Sequence, residues 1–303
     1  MNLTCICSLK ITARMKIIDC FTFFNELDLL EFRLRFLGDH VDHFVIAESD
    51  LTHSGKPKPF HFEENKKRFE PWLHKIIYVK ANLSTEGLDF AKQESNYNPQ
   101  SAAWRLENEQ RNALAAAGSV AGNEDLVIVS DLDEIPDPTL FKKIDLSKGP
   151  AAMSMLFHYY FFNCQNVGAE RWWNGSILCT GKQFKETTPQ FLRDKRNDYK
   201  RIPKGGWHFS YLGGLEKIKY KIQSFAHTEF NREEFLHDDN IIKAMEEGRD
   251  IFNRPNTVYR FVSPYYYPYG LRNKMLQYPA FMHLKNKDGF FTRAFYFIKN
   301  SIT

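Results

Sequence analysis

Apolar positions in the first half of the chain follow two periods that take turns. Lys16 to Phe23 is a nearly continuous apolar run of strand length. Asn25 to Leu37 then carries its apolar residues at helical spacing, with Asn25 placed as an N-cap and Gly38 as the stop. Val41 to Glu48 and His74 to Val79 read as second and third strands, separated by a polar stretch, residues 49–59, rich in turn formers. Residues 82–100 are irregular and polar. Ala102 to Ala117 is helical, punctuated by Trp104, Leu106 and Leu114 and closed by Gly118. Asp125 to Ser130 is a fourth strand. Strands alternating with helices predict an α/β fold with a mainly parallel central sheet.

The pattern changes after residue 150. Met153 to Phe162 is a long aromatic strand, Arg171 to Thr180 reads as strand and turn, and Gly205 to Tyr211 as a short strand or loop. Helices are predicted over Leu215–Phe225 and Arg232–Glu247, and the tyrosine-rich run from Tyr265 to Tyr269 reads as loop. No Gly-, Ser- or Pro-rich linker divides the halves. The expectation is one composite domain over residues 15–303, with a nucleotide-binding half (15–150) and an acceptor-side half (151–303).

Composition narrows the class without deciding it. At 43% hydrophobic and 26% charged residues the chain is globular rather than disordered. A net charge of +4 does not call for nucleic acid but suits an anionic small substrate. The five cysteines (Cys5, Cys7, Cys20, Cys164 and Cys179) are odd in number and lack zinc spacing, so reduced thiols and a cytoplasmic location are expected. No apolar stretch reaches the roughly 18 residues of a membrane span. The aromatic and basic run from Phe290 to Lys299 raises the question of peripheral membrane contact, set against a helix packed on the core.

The candidate chemistry begins where the fourth strand ends, at Ser130-Asp131-Leu132-Asp133-Glu134-Ile135-Pro136. In extended backbone alternate residues point the same way, so Asp131 and Asp133 are expected to share a face. Two hard oxygen ligands suit Mg²⁺ or Mn²⁺, ions that usually carry substrate phosphates, and strand ends are where α/β sheets bind ligands. A polar turn after a buried strand gives the same letters.

Four runs, taken in order, resemble glycosyltransferase family 17. They are Asp19 to Glu31, Val45 to Pro59, Ser130 to Pro136, and Gly206-Trp207-His208-Phe209-Ser210-Tyr211, and the likeness extends over roughly residues 15–250. The resemblance implies a GT-A-like fold, a UDP-sugar donor (UDP-GlcNAc in the family's animal enzyme), a glycan acceptor and inversion at the anomeric carbon. The chain is expected to lack that enzyme's membrane anchor and lumenal stem, so acceptor identity is not carried over.

On that reading a divalent cation at Asp131 and Asp133 neutralises the diphosphate leaving group, with His208 as a third ligand or phosphate contact. His208 reads equally as a core histidine beside Trp207. Inversion needs a base for the acceptor hydroxyl, and Glu216 and Glu229 are the candidates, each also explicable as a helix-start acid. The uridine side is expected at the ends of the first two strands: Phe23, Asn25 and Glu26 after one, Glu48, Ser49 and Thr52 after the other. Lys56 is preferred over Lys58 for phosphate contact. Arg105, Glu109 and Asn112 fall on one helical face and are expected to reach the nucleotide together, unless they form an ordinary exposed pair. A sugar-phosphate nucleotidyltransferase is disfavoured by the absence of a Gly-rich loop after the first strand. A non-catalytic carbohydrate-binding protein remains the other class.

Overall fold

The computed structural model describes residues 14–91 and 97–283. Among the described residues ten strands form one sheet: β1 (Ile17–Phe23), β2 (His43–Ser49), β3 (Ile76–Ala81), β4 (Leu126–Asp131), β5 (Glu134–Pro136), β6 (Ala151–Tyr159), β7 (Cys164–Asn166), β8 (Trp172–Thr180), β9 (Lys200–Ser210) and β10 (Tyr259–Phe261). The main path runs β10-β7-β6-β8-β4-β1-β2-β3, with β9 joining β6 and β5 joining β9. In the first half β3, β2, β1 and β4 pair in parallel, as their near-continuous apolar sequences predict. The second half differs: β8 runs antiparallel to β4 and β6 antiparallel to β8, while β9 is parallel to β6. The sheet is thus a parallel core with a mixed extension.

Helices α1 (Leu27–Leu37), α2 (His61–Glu64), α3 (Ala102–Asn112), α4 (Gly181–Lys185), α5 (Pro189–Asp194), α6 (Leu215–Ser224), α7 (Glu233–Leu236), α8 (Asp238–Glu247) and α9 (Tyr269–Met275) pack around it. Strand alternation sorts the core into two faces. Ile17, Phe21, Phe23, Leu126 and Ile128 join α1 residues Leu30, Phe32 and Leu34 on one side. Ile18, Cys20, Val127 and Val129 join Leu114, Ala117 and Leu192 on the other. A third, aromatic core in the second half packs Phe157, Tyr159 and Tyr211 with Ile218 and Ile222 of α6.

Four expectations change in detail. Asn25 does not cap α1 with its side chain; the helix starts at Leu27, and Glu26 Oε2 accepts the Asn25 N–H at 3.1 Å. The helix predicted to end at Gly118 gives way after Asn112 to a 3₁₀ segment, Ala113–Ser119. The single helix over 232–247 divides at His237, whose extended backbone (ψ 129°) separates α7 from α8. The tyrosine-rich tail leads into α9, which packs on α1. The segment considered for membrane contact lies outside the described residues. Among the described residues no helix is long and apolar enough to cross a membrane.

Candidate active site

Strand alternation that points Val127 and Val129 to the α3 side sends Asp131 there too. Its carboxylate meets two buried guanidiniums: Arg111 Nη2 donates to Oδ1 at 3.0 Å and Arg193 Nη2 to Oδ2 at 2.8 Å. Thr22 Oγ1 adds a 3.3 Å contact. Burial alone would raise the Asp131 pKa, but Arg193 and Arg111 outweigh it and hold the carboxyl far below the usual range. Strand β4 ends at Asp131, so the alternation that was expected to place Asp133 on the same face stops two residues short of it. The two carboxylates have different partners. Asp133 faces Lys221 Nζ at 3.0 Å and His208 Nε2 at 3.3 Å. Here too burial would raise the pKa, and Lys221 and His208 bring it well below the ordinary value.

Register explains the meeting of Asp133 and His208. β5 runs antiparallel to β9 with Glu134 opposite His208 and Pro136 opposite Gly206, and Phe209 N donates to Asp133 O at 2.8 Å. Gly206 is required for that approach: its φ is 151°, and a Cβ would sit 2.2 Å from Ile135 O. The His208 ring lies parallel to Phe157 (4.8 Å, 6°) and 4.9 Å from Trp173. Its Nδ1 is buried without a hydrogen-bond partner. Glu134 is fully buried, accepting from Trp173 Nε1 (2.6 Å) and Arg193 Nη1 (3.0 Å).

The turn itself is held from below by Arg33. This fully buried side chain on α1 pairs with Asp19 (2.6 Å) and Ser130 Oγ (2.7 Å), and donates to the carbonyls of Asp131, Leu132 and Glu134. An arginine on the apolar face of a helix was the sequence signal for it.

A small cleft lined by Asn25, Glu26, Tyr211, Lys217 and Lys221 opens beside Asp133. Lys221 bridges Asp133 and Glu26, the latter at 3.6 Å. Asn25 and Glu26 thus reach the site. The other expected strand-end residues serve the fold. The Phe23 side chain is core. Glu48 is fully buried, pairing with Lys58 at 2.9 Å and accepting from His61 N, Phe62 N and Tyr78 Oη. Lys58, passed over in favour of Lys56 for phosphate contact, is therefore the buried one, and Lys56 is exposed. Ser49 donates to Leu51 O, and Thr52 Oγ1 accepts from Lys56 N.

The α3 face that meets the strand ends is not the one expected. Arg105 and Glu109 are exposed, 4.0 Å apart, and Asn112 Oδ1 accepts from Gln190 N. The inward residues are Glu107, Gln110 and Arg111. Gln110 Nε2 donates to Phe23 O and Ala47 O, both at 3.0 Å, and Oε1 lies 2.8 Å from His53 Nε2. Of the two proposed bases, Glu216 is exposed, whereas Glu229 has Oε1 2.9 Å from His227 Nδ1 and a buried Oε2 without a hydrogen-bond partner.

Asp133 Oδ1 and His208 Nε2 fit a divalent cation. Neighbouring ligands of one ion, with bonds of about 2.0–2.2 Å near right angles, stand about 3 Å apart, and this pair is 3.3 Å apart. Asp131 fits less well, its oxygens being engaged by arginines that never deprotonate. Among the described residues no group of three His, Cys, Asp or Glu side chains converges as a metal cage. A two-ligand site leaves the remaining positions to phosphate oxygens and water.

Sheet and site together define an α/β protein with a charged crevice at its strand ends. The chain belongs to glycosyltransferase family 17, whose model matches residues 4–291. It is similar to the β-1,4-mannosyl-glycoprotein 4-β-N-acetylglucosaminyltransferases of Rattus norvegicus (27% identity over 89% of this chain and 54% of the relative) and Homo sapiens (27%, 89% and 55%). It spans about half the length of these relatives. Two solved structures of the glycosyltransferase GlyE of Streptococcus pneumoniae TIGR4 show a partial likeness. The apo form has a TM-score of 0.32 at 12% identity, covering 62% of this chain and 45% of GlyE; the second scores 0.31 at 13%, covering 90% and 66%.

Proposed function

We propose that the protein is a metal-dependent inverting glycosyltransferase that moves a sugar, GlcNAc first among the choices, from a UDP-sugar to a glycan hydroxyl. Family membership and the named activity of the relatives support the transfer. The observation that carries the site assignment is the Asp133–His208 pair at 3.3 Å, beside a cleft bearing Lys221. Asp133 and His208 would hold Mn²⁺ or Mg²⁺, which when bound supplies positive charge to the diphosphate leaving group. Lys221, shared between Asp133 and Glu26, would supply a further positive charge to the phosphates. Glu229 is the proposed base. His227 orients one oxygen, and the unpartnered oxygen accepts the acceptor proton.

Thermal-shift titration with UDP, GDP and CDP, with and without Mn²⁺, tests this reading. The melting temperature should rise with UDP only when Mn²⁺ is present, and Asp133→Asn should abolish the rise. UDP-GlcNAc turnover should then fall steeply in Glu229→Gln with nucleotide affinity unchanged. Glycan binding without any nucleotide response, in folded protein, would favour the non-catalytic carbohydrate-binding class.

A further inference from the structure

Most arginines around the acidic turn have a carboxylate. Arg33 has Asp19, Arg111 has Glu107 and Asp131, and Arg193 has Asp131 and Glu134. Arg196 does not. It lies in the turn between α5 and β9, and its side chain makes no ion pair or hydrogen bond among the described residues; its guanidinium instead rests 5.2 Å from the centre of the Trp173 ring. Trp173 is a fixed platform, anchored through Nε1 to Glu134 Oε1 at 2.6 Å and touched by Arg193 at 5.8 Å. The same ring lies 4.9 Å from His208, which reaches Asp133. Arg196 is thus two side-chain contacts from the proposed cation ligands.

We propose that Arg196, held on Trp173, is a phosphate-binding residue that takes the diphosphate of the donor. This rests on the nucleotide-sugar reading above. Three observations converge on it. A planar fork of donors left without an acceptor suits phosphate better than any neutral group. The indole, 5.2 Å from the guanidinium carbon, gives the group a fixed platform to rest on. The group is also under electrostatic strain: burial first, then the neighbouring Arg193, pull its pKa down to about 10 despite Glu134 and Asp131 nearby. A bound anion relieves that strain, whereas Arg111 and Arg193 would have to release their carboxylates to do the same.

Calorimetric titration of wild type, Arg196→Gln and Arg196→Lys with inorganic pyrophosphate, uridine, UDP and a sialylated oligosaccharide tests the assignment. Arg196→Gln should weaken UDP and pyrophosphate by about tenfold or more and leave uridine unchanged, the loss expected for one charge-assisted contact. Arg196→Lys, which keeps the charge but not the stacked fork, should fall between. Equal UDP and pyrophosphate affinity in wild type and Arg196→Gln overturns the proposal. So does a loss confined to the sialylated oligosaccharide, which would assign the arginine to an acidic acceptor. Arg196-dependent pyrophosphate binding with no response to UDP or uridine would instead retain the phosphate site and reject the nucleotide donor. Matching unfolding midpoints show that the variants are folded.

Discussion

Asp131 and Asp133 stand two positions apart and look equivalent as letters, yet their surroundings give them different work. The partners of Asp131 are two arginines that are almost wholly buried and can neither discharge nor reach water. Asp133 faces Lys221, about a quarter exposed, and the His208 ring. Removing one side of a buried pair strands the other charge, at a cost of about 3–5 kcal/mol when burial is complete. Asp131 is partly exposed and its arginines keep Glu107 and Glu134, so Asp131→Ala should cost about 2–3 kcal/mol by urea unfolding. Asp133→Ala should cost about 1 kcal/mol, because Lys221 can swing to Glu26 or solvent. Asp133→Ala should also lose the Mn²⁺-dependent response to UDP. Equal destabilisation by the two would contradict the division of labour drawn from these contacts.

At the scale of elements, apolar runs made the parallel strands β1, β2 and β4 legible, because strands buried on both faces carry their own signal. The helix α3 was located but its facing was misread. A run with so few large apolar residues fixes its rotation poorly, and the positions near its end that meet the strand ends are polar ones, Gln110 and Arg111. Gln110 bonds the carbonyls of Phe23 and Ala47 on two neighbouring parallel strands, while Arg105 and Glu109 point outward. The consequence is measurable. Gln110→Ala removes both buried bonds at once and should cost about 2–3 kcal/mol. The double change Arg105→Ala with Glu109→Ala should stay within about 0.5 kcal/mol of wild type, as an exposed pair does. The opposite ranking in urea denaturation would restore the face expected from spacing alone. The Lys56/Lys58 reversal has a similar cause: a loop lysine is buried only when a buried acid such as Glu48 awaits it, and that partner lies ten residues away.

Across the whole molecule, what escaped the sequence is the way the two halves share one sheet. Parallel order within residues 17–131 follows from strand–helix alternation, but the antiparallel insertion of β8 beside β4 depends on long-range pairing that no local pattern encodes. The second half is tied together partly by His158 on β6. This fully buried ring has Nδ1 3.0 Å from Leu156 O and Nε2 2.9 Å from the Tyr267 hydroxyl, whose oxygen also lies 2.8 Å from Phe162 O. Burial drives its pKa down to about 3, despite hydrogen bonds that favour the charged form. Its ordinary value is about 6.5, so the unfolded chain takes up a proton that the folded chain refuses. The sign follows from that difference. The contribution is fully present above the unfolded value and is lost as pH falls toward the folded one. Between pH 7.5 and 5.5, where carboxylates stay ionised in both states, wild type should lose about 1 kcal/mol of unfolding free energy through this residue. His158→Gln should be less stable at pH 7.5 yet flatter over the same interval in urea titrations. A variant that keeps the full wild-type slope would mean that other groups set the pH response, and that burial of His158 in the second-half core is not its source.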